Sequence, residues 1–216
     1  MFINIHSHHL VHSDSKTIVN LTLDEAENVF QTDNPHNYSL GIHPWFINEK
    51  WESEFAKLSK WALENRLVAI GECGLDKNIS TPSALQMEIF EKHIVLSEQV
   101  KLPLIIHCVG CFNELLALRK KFNPQQSWII HGFRAKPELA KMLLNAGCAL
   151  SFGTHYNTDS IIITPLNKLF IETDEADINI EELYSKIAKI KQCNVSELSA
   201  GEMLFNNIKT QNGKQE

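Results

Sequence analysis

Short apolar, β-branched runs alternate with longer amphipathic stretches along the chain. The runs are Phe2–Ile5, Thr17–Leu21, Tyr38–Ile42, Leu67–Ile70, Leu102–Ile106, Ser127–Ile130, Cys148–Phe152 and Leu169–Glu172. Each is mostly apolar on both faces and stops at Gly, His, Asp or Pro, the pattern of a strand buried in a parallel sheet. Helical spacing is predicted over Glu49–Asn65, Pro82–Val100, Cys111–Lys121, Lys136–Ala146 and Ile180–Gln192, with a last stretch near Ser196–Ile208. Thr81-Pro82 supplies an N-cap followed by proline at the first helical position, Pro137 sits in a second helix start, and Gly147 is a natural stop. Strands that alternate with helices predict a parallel sheet covered on both faces, and eight of them suit a closed barrel. Residues 7–16 are too few and too polar for a crossover helix. The expected fold is therefore α/β, a TIM-type (β/α)8 barrel trimmed in its first β/α unit. One domain is expected over residues 1–210, with a flexible tail at 211–216.

Composition narrows the partners. Against 26 acidic residues stand 20 lysines and arginines, giving a net charge of −6, and the only arginines are Arg66, Arg119 and Arg134. That excludes an extended basic face for gripping duplex DNA. No apolar run is long enough to cross a bilayer, and Met1–His6 has neither the basic region nor the cleavage site of a signal peptide, so the expected compartment is the cytoplasm. No obligate protein partner is indicated. Five cysteines, an odd number, argue against a disulfide framework. Cys108-Val-Gly-Cys111 is a single C-x-x-C pair without a second at zinc spacing, and it reads as packing thiols.

The informative feature is where the ligand-type residues fall. His6 and His8 follow the first run on the same face of an extended segment. Glu72 follows Val68–Gly71, His107 ends Leu104–Ile106, His131 ends Trp128–Ile130, and Asp174 closes Leu169–Thr173. A single histidine at a strand end is ordinarily a rim or core residue. Five runs delivering ligands at the carboxyl end, where barrel active sites lie, predict two divalent metal ions held by four imidazoles and two carboxylates. His9, His12, His36, His93 and His155 lack that registration and read as surface or supporting residues.

The residues carry a resemblance over nearly the whole length. Asn4-Ile5-His6-Ser7-His8, Gly41-Ile42-His43-Pro44-Trp45, Ile70-Gly71-Glu72-Cys73-Gly74-Leu75-Asp76, Pro103-Leu104-Ile105-Ile106-His107-Cys108, His131-Gly132-Phe133 and Glu172-Thr173-Asp174 resemble, in order and context, the motifs of the TatD-like hydrolases. The resemblance implies a two-metal site of His6, His8, Glu72, His107, His131 and Asp174. It also implies a magnesium-dependent deoxyribonuclease, often a 3′-exonuclease, that acts on DNA ends or a small phosphodiester through a metal-bound hydroxide. By ligand softness four imidazoles suit Zn²⁺, Mn²⁺, Ni²⁺ or Fe²⁺, whereas the resemblance implies Mg²⁺, so the ions are expected to be Mg²⁺, Mn²⁺ or Zn²⁺. In this mechanism Asp174 and Glu72 are the catalytic carboxylates, Asp174 as ligand and general base and Glu72 as bridge. His43, Asp76 and Arg134 are the candidates for substrate contact or ligand support. Three features depart from the family: Asn4 replaces an aspartate, Val109 replaces an arginine, and Glu175-Ala176-Asp177 runs almost directly into a helix. A binuclear amidohydrolase cleaving a small amide, ester or lactone is the alternative. A non-catalytic metal or partner-binding protein would require a site closed to water.

Overall fold

The computed structural model describes residues 1–9, 16–32 and 37–212, with side chains to residue 206. Eight strands follow one another in chain order, each parallel to its neighbour where register is defined. They are β1 (Ile3–Ser7), β2 (Lys16–Leu21), β3 (Asn37–Leu40), β4 (Ala69–Asp76), β5 (Leu104–Val109), β6 (Trp128–Ile130), β7 (Ala149–Phe152) and β8 (Leu169–Ile171). Among the described residues eight α-helices accompany them: α1 (Leu23–Val29), α2 (Trp51–Leu63), α3 (Ser83–Val100), α4 (Phe112–Phe122), α5 (Pro137–Asn145), α6 (Thr158–Ile163), α7 (Ile180–Lys191) and α8 (Ala200–Asn212). This is the (β/α)8 order the hydrophobic pattern predicts, and only residues 8–15 separate β1 from β2. Residues 10–15 of that connection, with the expectation for His12, lie outside the described residues, as does His36. The expected tail begins inside a helix, since α8 runs to Asn212; residues 213–216 are outside the described part.

Packing divides the chain into two compact units, residues 1–19 with 129–216 and residues 20–128. In the first unit β1 pairs with β2 and also meets the end of β8. Asp174 donates its N–H to the His6 carbonyl at 3.0 Å, and His8 N–H donates to the Asp174 carbonyl at 3.2 Å. The two ends of the sheet thus meet inside this unit, which is how a parallel sheet becomes a barrel. Ile3, Ile5, Ile18, Leu150 and Phe152 form its buried core. Tyr184 of α7 clamps β1: its hydroxyl donates to the Ile3 carbonyl at 2.9 Å and accepts the Ile3 N–H at 3.2 Å. Burial pushes the Tyr184 phenol up to about 12. α8 packs so close to β1 that a Cβ on Gly201 would stand 2.8 Å from Ile3 Cβ.

In the second unit β3, β4 and β5 lie side by side, and all eight residues of β4 are buried. Ile70, Leu75, Ile89, Phe90, Ile94, Leu104, Ile106 and Trp128 fill its core. Covering both faces of a strand in this way leaves no place for the alternating polar residues of an exposed sheet.

Two helices were not expected from the spacing. α1 is only seven residues long, yet Thr22 and Glu25 cap it reciprocally, a signal readable in the sequence as T-x-x-E. α6 carries Ile161-Ile162-Ile163, β-branched residues that disfavour helix; the Asn157 side chain caps it by accepting the Ser160 N–H.

Candidate metal centres

The strand pattern expects Glu72 just beyond a strand, but β4 continues through it to Asp76. Register supplies the reason: between Ile70 and Cys73 β4 advances three residues while β5 advances two, from Leu104 to Ile106. β1 does the same between Asn4 and Ser7 while β2 advances from Thr17 to Val19. Each bulge holds a ligand-type residue, His6 in one and Glu72 in the other. An extra residue re-aims the side chains around it, a common device beside functional sites.

In the first unit, His6 is fully buried and His8 partly exposed, their rings edge-to-face with centroids 5.1 Å apart. Asp174 Oδ1 stands 3.5 Å from the Nε2 of each. Asp174 follows β8 in the left-handed backbone region, φ 55°, where aspartate is tolerated better than most residues. Its carboxylate is 42% exposed. The spacing fits a cation: ligand atoms bound at about 2.1 Å in tetrahedral array lie about 3.4 Å apart. His131, just past β6, tilts against His6 with centroids 4.6 Å apart. Its Nδ1 faces Glu172 Oε1 at 3.3 Å, and the same oxygen accepts the Gly132 N–H at 2.6 Å. A metal-binding histidine commonly turns one ring nitrogen to a carboxylate in this way.

Asn4 takes a defined place. Its side-chain N–H donates to Thr173 Oγ1 at 2.7 Å, and its Oδ1 accepts the Thr173 N–H at 3.1 Å. The departure from aspartate thus changes a clip between the ends of β1 and β8, where both histidines and Asp174 are carried.

In the second unit, Glu72 Oε1 lies 3.0 Å from His107 Nδ1 and 3.1 Å from His43 Nε2. His43 Nδ1 accepts the Trp45 N–H at 3.1 Å, so the neutral ring carries its proton on Nε2, toward Glu72. His107 Nε2 meets Asp76 Oδ2 at 2.9 Å, and the Trp45 indole N–H donates to that oxygen at 2.7 Å. Burial raises the Asp76 carboxyl, but hydrogen bonds from Trp45, the Asn78 N–H and His107 outweigh it, and the net shift is downward. Gln86 of α3 holds Asp76 at the backbone, accepting its N–H and donating to its carbonyl. Asn20 accepts the Glu72 N–H at 2.7 Å. Gly74 stands opposite His107 with φ 145°, and a Cβ there would collide with the His107 carbonyl.

His6, His8 and Asp174 therefore meet as one set of donor atoms; His43, Glu72 and His107 also meet closely, with His43 Nε2 facing Glu72 as a hydrogen-bond donor. His43, expected to touch substrate, stands among ligand-type groups. Arg134 is exposed and makes no ion pair with a described residue. Of the histidines read as surface or supporting, His9 and His155 are exposed and His93 is a supporting one. It is fully buried in α3, where Nδ1 donates to the Ile89 carbonyl at 2.8 Å and Nε2 accepts the Ile42 N–H at 3.0 Å. It thereby fixes the backbone beside His43. Glu172, Trp45, Gln86 and Asn20 are not predicted as site residues from the sequence, although Glu172 and Trp45 lie within the motifs that carry the resemblance.

A family model described as TatD related DNase matches residues 8–209. An uncharacterized metal-dependent hydrolase of Buchnera aphidicola is 35% identical over 145 residues, covering 63% of this chain and 54% of the relative. The chain thus spans about half the length of that relative. A human 3′-5′ RNA nuclease is 30% identical over 148 residues, 63% of this chain and 19% of its own length. The solved TatD homologue of Escherichia coli K12 superposes with a TM-score of 0.78 at 20% identity, covering 97% of each chain.

Proposed function

Because the chain belongs to the TatD-related DNase family, we propose that it is a divalent-metal-dependent hydrolase that removes nucleotides from the 3′ ends of single-stranded nucleic acid. The ligand set is His6, His8, Glu72, His107, His131 and Asp174, holding two ions of the Mg²⁺, Mn²⁺ or Zn²⁺ type. One observation carries the reading: a half-open carboxylate, Asp174, is equidistant at 3.5 Å from the Nε2 atoms of two histidines. Neither separation is a good hydrogen bond, and both suit ligands around a common cation.

Bound ions supply Lewis acidity, lowering the proton affinity of water and offsetting phosphoryl charge. The chain's own residues do the rest. Asp174 reaches solvent and accepts the proton of the attacking water. Glu72 is held by the His43 and His107 rings, and Asp76 orients His107 from its other nitrogen. Arg134, exposed and without an ion pair among the described residues, is the arginine proposed to meet a phosphate. The name of the human relative supports a nucleic-acid substrate. Five free cysteines, four of them buried, suit a reducing compartment such as the cytoplasm. Among the described residues no helix is long and apolar enough to cross a membrane.

A small amide, ester or lactone is the second reading, favoured by the −6 charge and by Val109 where the family carries arginine. Stripped protein reloaded with Mg²⁺, Mn²⁺ or Zn²⁺ is offered single-stranded DNA and RNA beside simple phosphodiesters, amides and lactones. Nucleotide release is the expected result. Turnover confined to an amide or lactone overturns it.

A further inference from the structure

We propose that Trp45 and Phe46 form a stacking platform for an unpaired nucleobase, holding the terminal nucleotide beside the His43–Glu72–His107 cluster; this rests on the phosphodiester reading above. Trp45 is 59% exposed and Phe46 64%, and they are the only exposed large aromatics among the described residues. The other large apolar residues exposed in this unit, Leu63 and Val95, are aliphatic.

The backbone beneath both rings is fixed, and so is the Trp45 indole. The rings stand on a single turn of 3₁₀ helix, Pro44–Phe46, whose Pro44 is buried and whose entry is capped by His43. The Phe46 N–H donates to the His43 carbonyl at 3.0 Å, and the Trp45 indole N–H is spent on Asp76. The pinned indole keeps much of its surface in solvent, so a ligand meets a platform with little side-chain freedom left to lose. The platform is one ring away from the cluster. Centroids of Trp45 and Phe46 lie 5.1 and 5.6 Å from that of His43, and Trp45 is 5.8 Å from His107.

A base is the occupant that fits. The chain carries six more acidic than basic residues, so it cannot hold a strand chiefly by its phosphates. Stacking needs no net charge, tolerates any base and strengthens binding by about 5- to 150-fold per base. A second copy of the chain fits poorly: two aromatic side chains bury roughly 300–500 Å², far below the roughly 1,200 Å² of a stable interface.

The test measures kcat/KM of the Mn²⁺-loaded full chain on two short single-stranded DNAs, one with a normal 3′-terminal nucleotide and one whose terminal nucleotide is abasic. The wild type is expected to prefer the base-bearing strand at least about fivefold. The ratio should contract toward one in Trp45→Ala, contract in part in Phe46→Ala and survive in Trp45→Phe. Taking a ratio cancels any general disturbance from losing the Trp45–Asp76 hydrogen bond. Cleavage of both strands at equal rates, or a preference that Trp45→Ala leaves intact, overturns the platform and leaves the nuclease reading standing. Release of nucleotide from neither strand with Mg²⁺, Mn²⁺ or Zn²⁺ overturns the nuclease reading, and the platform with it.

Discussion

Asp174 and His93 show how far a residue's type underdetermines its role. Asp174 is legible as a candidate ligand because it ends an apolar run in register with the histidines, and its carboxylate does stand beside His6 and His8. Its partial exposure supports the proposed part of proton acceptor. Asp174→Asn keeps the shape and removes the charge, so kcat at saturating metal should fall by about 10²- to 10⁴-fold; a variant within threefold of wild type would remove Asp174 from catalysis. For His93 the sequence leaves surface and support both open, because its partners Ile42 and Ile89 are backbone groups that no side-chain pattern announces. Burial, only partly opposed by the hydrogen bond to Ile89, lowers its pKa from 6.5 to about 4. The unfolded chain takes up that proton near pH 6.5, and the folded chain resists until about pH 4. The resulting stability is whole above pH 6.5 and is lost as pH falls through that window, up to about 3 kcal/mol. Denaturant melts of wild type and His93→Gln from pH 7 to 4 should therefore converge as pH falls. Curves that stay parallel would contradict the neutral, buried imidazole.

At the scale of elements, the eight strands were readable because parallel strands buried on both faces leave short apolar runs between helices. Their bulges were not, since an extra residue in β1 or β4 appears only as a register shift against a neighbour. Glu72 was thus expected at a strand end and instead lies inside β4. α1 was missed for its brevity, and α6 because capping by Asn157 and tertiary packing override three isoleucines. The close approach of β4 to β5 depends on Gly74, whose φ of 145° and lack of a side chain admit the His107 carbonyl. Gly74→Ala adds backbone strain to a collision and should cost at least about 3 kcal/mol. Denaturant unfolding checks this, and a loss under 1 kcal/mol would mean that the strands can separate freely at this point.

The whole molecule is acidic, and that sets how it can hold nucleic acid. A protein making six to ten phosphate contacts loses about 10³- to 10⁵-fold in affinity between 50 and 200 mM salt. With three arginines and a net charge of −6, this chain should lose less than about tenfold for a short single strand over that range. Fluorescence titration at the two salt concentrations measures it; a steep loss would mean that a basic surface, not stacking, holds the strand. Beneath substrate and grip lies the claim that divalent ions sit on these histidines and carboxylates. Counting Mn²⁺ per chain by calorimetric titration, checked by elemental analysis, tests it most directly. Two ions are predicted in the wild type and at most one in the His6→Ala/His8→Ala double variant. No bound ion in the wild type, or a count that the double variant leaves unchanged, would contradict the account.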